Sequence, residues 1–267
     1  MRNSTPIEWT DSTWNPTTGC TQVSAGCDHC YALVLARTRL ADGYLKRLPV
    51  VQSEVNIGDP FAVRVWEERL TQPARWTGAR RIFVNSMSDL FHRDIPESFV
   101  RRVFEVMLNV DRHIYQVLTK RPGRAVRFFE RNQDLFPEGC VPAHIWIGTS
   151  VENQEAAYRV GHLRSLPATV RFLSCEPLLG PLSLDLNGIH WVIAGGESGA
   201  DFRPIDLEWA RSIREQCLEG GVAFFFKQVG GRTPKSGGRM LDGEIYDGYP
   251  DLVAITAQTG ELVETAA

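Results

Sequence analysis

The chain has 267 residues, 43% hydrophobic and 23% charged, enough to bury a full core as one large domain or two small ones and too apolar for a disordered or fibrous protein. Its formal charge of −3, from 29 basic and 32 acidic residues, excludes the strongly basic signature of a non-specific nucleic-acid binder. No apolar run approaches the ~20 residues of a membrane span, and the opening MRNSTPIEWTDSTWN lacks the apolar stretch of a secretory signal, so the expected location is the cytoplasm, with no membrane partner.

From the N-terminus, Ile7 to Thr10 reads as a short first strand. The loop after it holds three of the six cysteines within eleven residues, Cys20, Cys27 and Cys30, in GCTQVSAGCDHCYA. Cys140, Cys175 and Cys217 stand alone, so this is no disulfide framework; clustered thiols in a reducing compartment point to metal or redox chemistry. Residues 31 to 41 read as the helix that follows, and 42 to 80 as an insertion with a strand-like alternation at Phe61, Val63 and Val65.

From residue 80 onward, apolar β-rich runs alternate with helical patterns. The runs are Ile82 to Ser86, Ile114 to Thr119, Ile145 to Ser150, Val170 to Cys175, Trp191 to Gly196 and Ala223 to Gln228. Near-continuous apolar runs are expected of parallel strands covered on both faces. Pro96 opens a helix with a stripe of Phe99, Val103, Met107 and Val110, and Asp206 is the expected N-cap of another that Gly220 and Gly221 end. The Pro- and Gly-rich connection between Cys175 and Trp191 leaves room for a helical turn at most. The expectation is a single α/β domain over residues 1–250, with a loosely attached tail at 251–267.

Three thiolates on one loop can hold three irons of a [4Fe–4S] cluster and leave the fourth iron open to a ligand. With Gly19 and Gly26 allowing the loop to fold, Cys-x6-Cys-x2-Cys-Tyr-Ala after a first strand resembles the radical S-adenosylmethionine superfamily in its partial TIM-barrel form. That superfamily's usual gaps are three and then two residues, so the six-residue gap is a departure. More closely, the chain resembles a phage-associated family of three-cysteine proteins, through IEWTDSTWNP, NSMSDLFH, LTKRP, IGTSVEN, RFLSCEPLLGP, GGESG, RPID, FFFKQ and the GR-x-LDG stretch at Arg239 to Gly243.

The resemblance implies a partial (β/α) TIM-type barrel of six or seven parallel strands. It also implies a [4Fe–4S] cluster on Cys20, Cys27 and Cys30, S-adenosyl-L-methionine on the open iron, an external electron donor, and hydrogen abstraction by a 5'-deoxyadenosyl radical. In such barrels the chemistry sits at the C-terminal ends of the strands. Polar residues expected there make a candidate ring: Ser86, Ser88, Asp89 and Glu197 toward the cofactor, and Lys120, Glu176 and Lys227 toward the substrate. Gly195-Gly196-Glu197 spells the superfamily's methionine-binding tripeptide but follows a later strand than usual. The basic stretch from Lys227 to Arg239, if it shares a face with Lys120, Arg121 and Arg124, would favour a phosphate-bearing substrate, a nucleotide or nucleic acid. Trp9 and Trp14 flank the cysteine loop and are expected to shield it, while His92 is expected to be solvated. The alternative is a zinc-stabilised nucleic-acid-binding or adaptor protein without turnover, its zinc held by the same cysteines and completed by His29 or a distant residue.

Overall fold

The computed structural model describes residues 5–259. In chain order the strands are β1 (Ser12–Trp14), β2 (Thr17–Thr18), β3 (Arg64–Val65), β4 (Arg81–Val84), β5 (Ile114–Thr119), β6 (Val141–Ser150), β7 (Ala168–Cys175), β8 (Trp191–Gly195) and β9 (Ala223–Gln228). The helices are α1 (Tyr31–Arg37), α2 (Ala41–Tyr44), α3 (Glu54–Ile57), α4 (Gln72–Arg75), α5 (Glu97–Asn109), α6 (Pro122–Arg131), α7 (Tyr158–Arg164), α8 (Leu207–Glu219) and α9 (Leu252–Thr259).

Seven strands form one sheet in the order β1-β4-β5-β6-β7-β8-β9, and every neighbouring pair is parallel. Its two edges, β1 and β9, do not pair with each other, so the barrel is partial. The sheet curls strongly. β4 and β8 are four spacings apart, ~19 Å in a flat sheet, yet Trp9 lies 4.6 Å from Phe83 of β4 and 6.1 Å from Trp191 of β8 between ring centroids.

Curling divides the core in two. The convex side packs under α5, α6, α7 and α8, where α5 buries Phe99, Val100, Val103, Phe104 and Met107 and α6 buries Phe128 and Phe129. The concave side is an aromatic layer of Trp9, Phe83, Trp146, Phe172, Trp191 and Phe225. Gly148 makes room in this layer, since a Cβ there would lie 2.5 Å from the Phe172 ring. Asp206 caps α8 by accepting from the Glu208 N–H at 2.9 Å, and Gly220 ends the helix, as the turn chemistry predicts.

Three sequence expectations are corrected. The first strand is Ser12–Trp14, not Ile7 to Thr10: Ser12 occupies a fully buried ladder position because its hydroxyl accepts from Arg80 at 3.1 Å, while Trp9 turns onto the concave layer. The helix after the cysteines stops at Arg37 and resumes as α2. Residues 252–259, expected as part of a loose tail, form α9, which buries Ile255 in the same apolar cluster as Trp146, Trp191 and Phe225. The tail's last residues lie outside those described.

Candidate active site

The cysteine loop crosses the C-terminal ends of the strands. It starts from β2, which pairs antiparallel with β3 of the insertion, and enters α1 at Cys30, the N-cap residue. Gly19 has φ +86° and sits so close to the insertion that a Cβ would be 2.2 Å from the Ala62 carbonyl oxygen, so only glycine fits. The next residue, Cys20, donates its N–H to the Phe61 carbonyl at 3.3 Å. Buried Arg64 holds that part of the insertion by donating to the carbonyls of Arg47 (2.7 Å), Ala62 (2.7 Å) and Asp59 (2.9 Å).

Each of four strand exits grips this loop. At the exit of β4, Asn15 donates to the Ser86 hydroxyl at 3.1 Å and accepts the Met87 N–H at 2.9 Å, and Ser88 donates to the Thr17 carbonyl at 3.0 Å. Ser86 and Ser88 therefore hold the segment that leads into the loop, and the loop's Gly19 N–H donates to the Met87 carbonyl at 2.9 Å. At the exit of β5, Arg121 donates to the Thr21 carbonyl at 2.8 Å and to the Cys20 sulfur at 3.4 Å. Asp89 orients Arg121 at 3.0 Å and also accepts from Thr119 Oγ1 (2.7 Å), the Lys120 N–H (3.0 Å) and the Phe91 N–H (3.0 Å).

At the exit of β6, fully buried Glu152 pairs with Arg159 at 2.8 Å and accepts from the Ser24 hydroxyl. A Cβ on Gly26 would lie 2.9 Å from the same carboxylate. Burial acts to raise the Glu152 pKa, but the charge of Lys120, the Ser24 hydrogen bond and Arg159 outweigh it and hold the carboxyl below its ordinary value. At the exit of β8, Glu197 accepts from His29 Nδ1 at 2.8 Å, from the Arg203 N–H at 2.8 Å and from Arg203 Nη2 at 2.6 Å. Arg203 reaches on to the Ala25 carbonyl at 2.9 Å and Asp28 at 3.1 Å. Burial opposes the Glu197 charge too, and the Arg203 and His29 hydrogen bonds overcome it, so its pKa is lowered.

The three thiols are free and half-buried. Cys20 and Cys30 pack against Ala32, Ala36, Tyr44, Phe61, Trp66 and Met87, so the aromatic cover on this side comes largely from the insertion. Trp9 and Trp14 do not shield the loop: Trp9 lies in the concave layer, and Trp14 lies in the convex core with its indole N–H bonded to the Arg69 carbonyl at 2.8 Å. Burial and the Asp89 charge push the Cys20 thiol up to about 11, with Arg121 pulling the other way, so only a bound metal would hold it as thiolate at neutral pH. Among the described residues, no three His, Cys, Asp or Glu side chains gather closely enough to hold a metal ion as they stand. The donor set itself fits an iron–sulfur cluster: three unbridged thiols on one loop, with a guanidinium at one sulfur and no disulfide to break.

The substrate-side candidates lie at neighbouring exits. Lys227 of β9 forms an ion pair with Glu176, one residue beyond β7. Lys120, one residue beyond β5, is half-buried; among the described residues its ammonium has no hydrogen-bond or ion-pair partner. Asn85, one residue beyond β4, has φ +65°, is buried, and leaves both side-chain polar atoms unpaired. The sequence offered no signal for it beyond its place at a strand end.

Other expectations change. The stretch from Lys227 to Arg239 is not one open basic patch: besides Lys227, Lys235 pairs with Glu8 at 3.2 Å and Arg239 with Asp247. His92 is buried rather than solvated, with Nε2 2.8 Å from the Thr21 hydroxyl and Nδ1 accepting the Asp94 N–H at 3.2 Å. His113 serves the opposite end of the sheet, its Nε2 3.0 Å from the Pro73 carbonyl. Arg159 and Arg203 were the residues missed, since each looks like surface charge in a chain rich in arginine, and Arg121, expected to face a phosphate, instead bonds the cysteine loop.

No helix among the described residues is long and apolar enough to cross a membrane. No curated protein matches the chain. Among solved structures, spore photoproduct lyase complexed with dinucleoside spore photoproduct is similar over 81% of this chain and 63% of that one, with 11% identity and a TM-score of 0.43. The chain thus spans less than two thirds of that structure's length. The model of a protein family described as "Protein of unknown function (DUF5131)" matches residues 4–250, and this chain belongs to that family.

Proposed function

We propose that the protein is an iron–sulfur, S-adenosylmethionine-dependent radical enzyme, with Cys20, Cys27 and Cys30 as ligands of a [4Fe–4S] cluster. The observation that carries this reading is the cysteine loop itself: three free thiols, held across the C-terminal mouth of a parallel half-barrel by contacts from four strand exits. That mouth is where barrel folds put their chemistry. When bound, the cluster and its sulfonium ligand would supply one-electron C–S cleavage and hydrogen abstraction.

The chain's own residues divide the remaining work. Ser86, Ser88, Asp89 and Glu197 act on the cofactor site by fixing the loop that carries the cysteines, directly or through Arg121 and Arg203. Asn85 is the residue at the β4 exit with hydrogen-bonding capacity left for the amino-acid end of S-adenosylmethionine. A buried amide with neither atom paired costs about 1–3 kcal/mol per group unless a ligand or water meets it. Lys120, whose charge acts on Glu152 but whose ammonium donates no hydrogen bond among the described residues, offers its N–H groups to an anionic substrate group, a phosphate of a nucleotide or nucleic acid, and the Glu176–Lys227 pair lines the same mouth.

The test is turnover of the cofactor. Protein purified without oxygen and reduced with dithionite in the presence of S-adenosylmethionine releases 5'-deoxyadenosine on this reading, and variants with alanine at any of the three cysteines do not. Absence of the nucleoside from iron-loaded wild-type protein would overturn it.

A further inference from the structure

Of the three thiols, Cys20 alone has a side-chain cation bonded to its sulfur among the described residues: Arg121 Nη1 stands 3.4 Å from Sγ. The contact is built rather than incidental. Arg121 is largely buried, and each of its terminal nitrogens has a second partner. Nη1 meets Asp89 at 3.0 Å, and Nη2 meets the Thr21 carbonyl at 2.8 Å and hydroxyl at 3.1 Å. Asp89 in turn is locked by Thr119, Phe91 and the Lys120 N–H. A guanidinium fixed at four points has little freedom to leave the sulfur, and its side chain is only 11% exposed.

We propose that Arg121, oriented by Asp89, sets the reduction potential of the cluster through a charge-assisted N–H···S hydrogen bond to Cys20. This rests on the cluster reading above and goes beyond it. Reduction adds one electron, delivered by the external donor, and neither makes nor breaks a bond. The reduced state carries one more negative charge than the oxidised state, so a fixed cation at a ligand sulfur stabilises it more and raises the potential. Because the guanidinium is mostly buried and held in place, the effect is larger than that of a surface charge at the same distance.

The experiment is an anaerobic redox titration of the reconstituted holoprotein, followed by electron paramagnetic resonance, on wild type, Arg121→Lys, Arg121→Gln and Arg121→Met, with iron and sulfide measured for each. Arg121→Met is expected to lower the ratio of reduced to oxidised cluster at a fixed potential by about tenfold, or ~59 mV for a one-electron couple. Arg121→Gln, a neutral donor, should fall between it and wild type, and Arg121→Lys, which keeps the charge, should stay nearest to wild type. If Arg121→Met does not hold iron, the Gln and Lys variants carry the same comparison. Iron-loaded variants that all titrate at the wild-type potential refute the proposal while leaving the cluster reading intact. Wild-type protein that takes up no iron and sulfide refutes both.

Discussion

Arg203 ties the exit of β8 to the middle of the cysteine loop: one terminal nitrogen donates to Glu197 at 2.6 Å and to the Ala25 carbonyl at 2.9 Å. The second contact joins residues 178 positions apart in the chain. Ala25 opens the short turn that ends at Cys27, so Arg203 sets where that thiol stands relative to the strand ends.

Arg203→Ala is therefore expected to loosen the loop more than the fold. Glu197 would keep His29 and the backbone N–H of residue 203 but lose the two hydrogen bonds donated by the arginine side chain, from Nε at 3.0 Å and Nη2 at 2.6 Å. Hydrogen bonds to charged groups contribute about 1.5–3 kcal/mol, and the partial exposure of Arg203 places the expected cost near 2 kcal/mol. Urea unfolding measures the stability, and iron retained after desalting measures the loop. Unchanged iron retention would show that the clamp is not needed to hold the cysteines.

The Glu152–Arg159 pair is the most deeply buried ion pair at the mouth, with side chains 0% and 2% exposed. Breaking a buried pair leaves an uncompensated charge and costs about 3–5 kcal/mol. Glu152→Gln should destabilise the protein on that scale and weaken the hold on Ser24 and Gly26. A cost below ~1 kcal/mol in urea unfolding would mean that solvent reaches Arg159.

Gly19→Ala combines a left-handed backbone, φ +86°, with a Cβ 2.2 Å from a backbone oxygen. Strained conformations of this kind cost about 1–3 kcal/mol before any clash is counted, so a loss of at least ~2 kcal/mol and displacement of Cys20 are expected. Thermal unfolding and cysteine accessibility to a thiol reagent check the two effects separately. Gly43, whose Cβ would meet nothing, is the control and should tolerate alanine.

His92 gives the fold a pH dependence. Burial, reinforced by the Arg121 charge, lowers its pKa from 6.5 to about 4. A group depressed in the folded state is protonated first in the unfolded chain, so its contribution is complete above pH 6.5 and is lost as pH falls toward 4. The loss approaches ~3 kcal/mol at the acid end. Glu152 and Glu197, also depressed, lose their contributions over a more acidic range, below the ordinary carboxyl value. Comparing urea stability of wild type and His92→Gln between pH 7 and 5 isolates the histidine: the wild type should weaken more steeply than the variant, whose remaining loss comes from His113 and His190, also depressed by burial.

Much of the barrel was legible because strands covered on both faces need continuous apolar runs. Ile114–Thr119 and Ala223–Gln228 form strands with the very bounds their sequences suggest. The first strand was not legible, since Ser12 and Thr13 carry no apolar signal and Ser12 is accommodated by a hydrogen bond from Arg80. The cysteines announced themselves by spacing. What grips them did not: Arg121 meets Cys20 across 101 positions and Glu152 meets Ser24 across 128, and no local pattern encodes such pairings. Glu197 shows the limit from the other side, because a familiar tripeptide marked the residue while its partners, Arg203 and His29, determine what it does.

The central claim is that Cys20, Cys27 and Cys30 carry a four-iron cluster, and metal analysis of protein prepared without oxygen tests it most directly. The account predicts about four iron and four sulfide per chain, with a brown chromophore lost when any of the three cysteines is replaced by alanine. Stoichiometric zinc with no chromophore, or iron content indifferent to those replacements, would contradict it.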